Sequence, residues 1–422
     1  MNLLIRAATI IDSTSPFHQQ KKDILIRNGK IEAIKSNIKA EKGIKEIDAT
    51  GKYVTIGFKD TFANFCDPGL EYKEDIISGT KAAASGGYTT VSISPETLPV
   101  KDSKSGIEYV RSKSEGNLVN VLALGAISKK CEGKELAEIY DMRTAGAVAF
   151  TDGFHPVKDS GVMLRALQYV KSFNGLVYSF PEDKTISPSG VMNESNESVL
   201  LGMKGIPNLA EAIVVKRDIE LADYSGSRVH FFCISTKESV ELIRKAKAKG
   251  LQVTCGVNPL HLLLDDSELG DFNSDLKLEP PLRTKDDIKA LINGLKDDTI
   301  DVLCSAHTPQ NEELKKVEFE YASYGAIGLE SAYAVANTAL KGKLPLEKII
   351  EKLNSNPAKI LGIDSGSINE NIEADLCIFD VDTNWTFSLE SIKSKSKNTP
   401  VTGKTLTGKV IAVVNNNQLY TN

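Results

Sequence analysis

The stretch Gly57–Asp75, GFKDTFANFCDPGLEYKED, reads as an apolar-flanked strand ending at Asp60, a Pro68-Gly69 turn and an acidic helix start. A strand end of this kind is where a barrel enzyme presents its first metal ligands. Phe62, Asn64 and Cys66 stand in those places instead. Other residues could still do chemistry: Glu96, Asp152 and Glu279 could move protons without a metal. Cys66, Cys233, Cys255 and Cys304 fall near strand ends, and four thiolates could close a tetrahedral zinc site at ~2.3 Å with no open position for water. The five histidines, His18, His155, His230, His261 and His307, are too scattered to suggest a relocated metal centre and read as packing or hydrogen-bonding residues.

These residues need a scaffold, and 422 of them suffice for one α/β barrel plus a smaller sheet domain. A hydrophobic share of 41% and a charged share of 25% are those of an ordinary globular chain. Apolar runs such as IAVVN and ALGAI fall far short of the ~20 residues that span a bilayer. Arg6 and Asp12 interrupt the N-terminus before a signal-peptide core could form. Six cysteines without a CxxC pair suggest free thiols, so the chain reads as cytoplasmic. With 51 basic against 56 acidic residues and no basic block interleaved with aromatics, no nucleic-acid face is expected.

Residues 1–55 read as short β-segments around an Asn28-Gly29 turn, and 362–422 supply more, in ADLCIFD and GKVIAVVNNNQLY. Neither set can bury both its faces alone. The expectation is one composite β-sandwich domain built from both termini. Between them, over 56–361, apolar strands ending near Asn64, Ile93, Gly125, Phe150, Phe180, Cys233, Cys255 and Ser305 alternate with helical stretches. That repeat predicts a (β/α)8 TIM-like barrel with its chemistry at the strands' C-terminal ends.

The pieces DPGLEYKEDIISGTKAAASGGYTTV, GAVAFTDGFHPVKDSGVMLRAL, STKESV, PPLRT, GAIGLESA, NPAKILGI and IEADLCIFD give the chain a further character. Over essentially its whole length it resembles the dihydroorotases of the amidohydrolase superfamily. The resemblance implies a metal-bearing β/α barrel with a flanking β-domain from both chain ends. It also implies the reversible cyclisation of carbamoyl aspartate to dihydroorotate in pyrimidine synthesis. That reaction uses zinc to activate a bridging water and polarise the ring carbonyl, with an Asp to carry the proton.

Position by position the resemblance breaks at the chemistry. The family's His-x-His pair after the first strand falls on Phe62 and Asn64, its metal His after the fifth strand on Phe180, and its His in the sixth on Cys233. The Asp pair after the fourth strand becomes Asp152-Gly153, and the catalytic Asp of the eighth becomes Ala306. The Arg that clamps the substrate carboxylate is Cys66, and two neutral substrate contacts are the acids Glu96 and Glu279. His230 and His307 match positions where working relatives carry His outside the ligand set.

The expectation is therefore a vestigial pocket of Phe62, Asn64, Cys66, Glu96, Asp152, Phe180, Cys233, Glu279 and Ala306, with no catalytic residue, no metal and no cofactor. By resemblance to inactive dihydroorotase-like proteins, the chain is expected to be a structural partner of aspartate transcarbamoylase, without nucleic acid or membrane partners. Homo-oligomerisation, a homodimer in the simplest case, is expected as well. The alternatives are a metal-independent cyclic-amide hydrolase and a small-ligand-binding protein.

Overall fold

The computed structural model describes residues 1–40 and 42–422. Eight parallel strands lie side by side in chain order: Phe58–Ala63, Tyr88–Ile93, Asn120–Gly125, Ala149–Phe150, Val177–Ser179, Val229–Phe231, Val253–Val257 and Val302–Leu303. The circle closes where Ala63 bridges His307 and the Asn64 amide donates to the His307 carbonyl at 2.8 Å. Each strand is followed by a helix: Ile76–Ser85, Lys104–Ser114, Ile139–Ala145, Ser160–Lys171, Asn208–Ser225, Lys237–Ala248, Lys285–Lys296 and Ala332–Leu340. This is the expected (β/α)8 barrel.

Local sequence explains the units. The first two strands are buried at every position, as strands covered on both faces must be. Asp75, Thr236 and Thr284 cap their helices through side-chain oxygens that accept the amides of Ser78, Ser239 and Asp287. Gly87, in the turn between the first helix and second strand, has φ +95°, and a Cβ there would lie 2.6 Å from the Phe58 ring. Only glycine serves at that turn.

Both termini build the second sheet, in the order Gln418–Thr421, Thr405–Asn415, Leu376–Thr386, Tyr53–Ile56, Asn2–Ile10, Lys21–Arg27 and Lys30–Lys35, with Lys45–Asp48 also on Asn2–Ile10. The seam is the antiparallel pairing of Tyr53–Ile56 with Leu376–Phe379. Leu3, Ile5, Ile24, Ile26, Val54, Leu376, Ile378 and Val414 form a core separate from the barrel's. Lys59, 2% exposed, crosses the junction to Asp375 at 3.2 Å. No helix among the described residues is long and apolar enough to cross a membrane.

Asn337 sits where the last barrel helix meets this domain. Its amide donates to the carbonyls of Val381 at 3.0 Å and Thr407 at 2.9 Å, and it is 2% exposed. Asn337→Ala orphans both carbonyls and should lower the unfolding free energy by about 1–3 kcal/mol. Urea unfolding checks this, and a change below about 0.5 kcal/mol, the level of an ordinary surface substitution, refutes it.

Candidate functional site at the barrel mouth

The C-terminal ends of the strands converge on aromatic rings. Phe62, at the end of the first strand, stacks on Phe232, just past the sixth, with centroids 4.3 Å apart and planes 16° from parallel. Phe154, after the fourth strand, meets Phe62 edge-on at 5.3 Å, Phe180 at 4.9 Å and Phe232 at 5.5 Å. Phe180 lies 5.5 Å from Phe232. With Cys233, Cys304 and Ala306 they belong to one buried cluster that fills the inside of the barrel. The sequence singled out Phe62 and Phe180. Phe154, in DGFHP, and Phe232, in HFFCIST, carry no local mark of this role, since each adjoins a more conspicuous residue.

The polar residues expected at the mouth divide into two groups. Asn64 ties neighbouring loops: its carbonyl accepts the Cys66 amide at 2.8 Å and its amide donates to the Glu96 carbonyl at 3.3 Å. Asp152 accepts the amides of Ile127 and Ser128, both at 2.9 Å, and the Ser128 hydroxyl. Asp60 likewise binds the Ser305 amide at 2.8 Å and its hydroxyl, joining the first strand to the eighth. Burial pushes both aspartates up to about 6. These carboxyls act as structural ties between strand ends.

Glu96, Glu182 and Glu279 form the rim proper. Burial pushes Glu96 and Glu182 up to about 7, and the neighbouring Glu279 adds to the rise in both. Lys184 answers them, 2.6 Å from Glu279 and donating to the Phe154 carbonyl at 3.2 Å. Exposed His155 stands 3.5 Å from Glu96. Lys101, 1% exposed, donates a long 3.5 Å bond to the Thr97 hydroxyl, and burial pushes its amine down to about 7. Sequence reasoning missed Glu182, Lys184 and Lys101, since a lone charge in a loop gives no sign of the partner it will face.

The four strand-end cysteines do not assemble. Cys233 and Cys304 share the inner cluster, whereas Cys255 packs between barrel and helices with its thiol 3.3 Å from the Thr299 carbonyl. Cys66 is buried apart from both, and burial pushes its thiol up to about 12. The histidines have separate partners: His18 with the Asp12 amide, His230 with Thr254, His261 with the Pro280 carbonyl, and His307 between the Gly328 amide and Glu74. Among the described residues no three His, Cys, Asp or Glu side chains are placed to hold a metal ion. Phenyl rings and a methyl group offer no lone pairs, so this set of residues does not fit a zinc centre.

The motifs beside the mouth have a structural use. Arg283 of PPLRT donates to Ser235 at 3.0 Å, Asn193 at 3.0 Å and the Ile206 carbonyl at 2.8 Å. Glu211 accepts the amides of Ser235 and Thr236, which open STKESV. Together they fasten the sixth-strand loop to the excursion between the fifth strand and its helix.

Glu96 couples folding to pH. Its pKa rises on folding, so its contribution is fully present below its ordinary 4.5 and is lost as pH climbs through about 7. Lys101 runs the other way, its contribution being lost as pH falls through about 7. Glu96→Gln should therefore shrink the loss of stability between about pH 4.5 and 8 by on the order of 2 kcal/mol. Superimposable pH profiles of urea unfolding for parent and variant would contradict this.

Known proteins agree with this architecture. Residues 51–239 match the family described as dihydro-orotase-like, and 209–416 match the amidohydrolase family. The chain is 44% identical over 414 residues to a dihydroorotase of Thermoanaerobacter sp., covering 97% of this chain and 95% of that protein. It is 41% identical over 406 residues to a dihydroorotase of Geobacter metallireducens, with 96% and 95% covered. An L-hydantoinase (dihydropyrimidinase) from Arthrobacter aurescens superposes with a TM-score of 0.86 at 24% identity, covering 99% of this chain and 95% of that one. A D-hydantoinase structure gives 0.83 at 26% identity with the same coverage. With the barrel, the two-ended β-domain and near-full-length identity above 40% in agreement, the chain belongs to the dihydroorotase family of the amidohydrolase superfamily.

Proposed function

We propose that this chain is a non-catalytic member of the dihydroorotase family in pyrimidine biosynthesis, a cytoplasmic structural partner of aspartate transcarbamoylase. The observation that supports the loss of catalysis is the aromatic plug, in which Phe62 and Phe180 carry rings at the positions where the resemblance puts imidazoles. Ala306 supplies no carboxylate to move the proton, and Cys66 supplies no bidentate clamp for an anion. Zinc does not fit these residues. The partner follows from the resemblance to inactive relatives, while the intact barrel and β-domain support a folded scaffold.

A second reading has an observation of its own. Glu96 and Glu182, both raised to about 7 at the rim, have the protonation range of a general acid at neutral pH. A metal-independent cyclic-amide hydrolase would use them together with Glu279.

Purified protein should neither open dihydroorotate nor cyclise carbamoyl aspartate, with or without added zinc. Phe62→His with Asn64→His should not rescue it, because Phe180, Cys233 and Ala306 remain. A turnover above about 1 s⁻¹, within the usual enzyme range, overturns the reading. Turnover without metal that disappears in Glu96→Gln would favour the hydrolase.

Co-expression with aspartate transcarbamoylase from the same cell, followed by size-exclusion chromatography, tests the partner. Co-elution is expected. Separate elution at micromolar concentration, with transcarbamoylase activity and stability unchanged, removes the scaffold role.

A further inference from the structure

Glu96 and Gly153 are fitted to each other. Gly153 has φ +66°, and a Cβ there would lie 1.9 Å from Glu96 Oε2 and 2.1 Å from its carboxyl carbon. The space beside residue 153 is thus taken by a side chain from the second strand's loop. That carboxyl accepts the Ser94 hydroxyl at 2.7 Å on Oε2 and the Phe154 amide at 3.1 Å on Oε1. The carbonyl of Phe154 is held in turn by Lys184 at 3.2 Å, and the Gly153 amide by the Thr151 hydroxyl at 3.0 Å.

This turn delivers one ring. Phe154 is the most exposed of the four plug rings at 9%, against 0% for Phe62 and Phe232 and 4% for Phe180, and it touches all three. It is the outermost wedge, placed by backbone contacts rather than by a strand. Cys233 and Cys304, at 1% and 0% exposure, share its cluster.

We infer that Glu96 is a positioning residue that latches Phe154 as the outer wedge of the mouth, and that Gly153 is the partner it requires. Once the latch is cut, the Phe154 turn loses its amide acceptor and the ring is free to leave, while the strands beneath stay paired. A side chain at residue 153 acts in the same way, by expelling the carboxylate.

The cysteines report on this. Cys233 and Cys304 lie in the plug cluster, whereas Cys255 and Cys377, both 0% exposed, lie in the core outside it. Native-state labelling by a small thiol reagent, mapped by mass spectrometry, should show Cys233 and Cys304 reacting about tenfold faster in Glu96→Ala, as expected when one hydrogen bond no longer holds a local closure. Cys255 and Cys377 should keep their rates. Glu96→Gln retains an acceptor for the Phe154 amide and should label like the parent. Gly153→Ala should label like Glu96→Ala, and adding it to Glu96→Ala should change little, since the carboxylate it would strike is gone.

Parallel acceleration of all four cysteines would mean global destabilisation and overturn the latch. Unchanged Cys233 and Cys304 rates in Glu96→Ala would overturn it too, as would a Glu96→Gln variant as reactive as Glu96→Ala. Should Glu96→Ala fail to fold, Ser94→Ala removes the Oε2 bond and the acceptor of the Glu96 amide while leaving the Phe154 bond in place. It should give a smaller acceleration confined to the same two cysteines, and its absence counts equally against the proposal.

Discussion

The interior of an eight-stranded barrel is narrow, and it must be filled with atoms at the density of an organic solid. The stack of Phe62 on Phe232, 4.3 Å apart, meets that constraint at the mouth. In a barrel that binds a metal or substrate there, polar groups and water occupy the same volume. Here four rings from the first, fourth, fifth and sixth strand ends occupy it, joined by the small side chains of Cys233, Cys304 and Ala306. Large rings beside small residues are one packing solution, and enlarging Ala306 alone would overfill the space.

Polar groups around the plug had to find other partners or become neutral. Asp60 and Asp152 turned into ties between adjoining strand ends, each satisfied by the amide and hydroxyl of one serine, Ser305 or Ser128. Glu279 found Lys184. Glu96 leaned over a glycine and took up the Phe154 amide. Each arrangement obeys one rule, that a buried carboxyl must be hydrogen-bonded, ion-paired or protonated. The raised values at Glu96 and Glu182 show how close the rim comes to the third outcome.

Much of this was legible in the chain. Alternating apolar strands and helices and the Asn28-Gly29 turn give strand-loop-helix units and a hairpin by local rules. The residue types at Phe62, Asn64, Phe180 and Cys233 are legible too, because a side chain's capacity to bind a metal is set by its identity. The four-cysteine site illustrates the limit. Near a strand's end, the period of two decides whether a thiol points into the barrel or toward the helices, and Cys255 points outward among residues such as Val257 and Ile292.

The sequence by itself determined the eight-unit barrel and the two-ended β-domain. Both follow from local periodicity and residue identity. Tertiary structure alone decided that Phe154 and Phe232 join Phe62 and Phe180, that Asp152 faces the third strand's loop, and that Glu96 fills the space beside Gly153. These are contacts between residues tens to hundreds of positions apart, whose distances are set only when the barrel closes. The direction of a side chain at a strand's end depends on the turn after it, and that turn is held by groups on other strands.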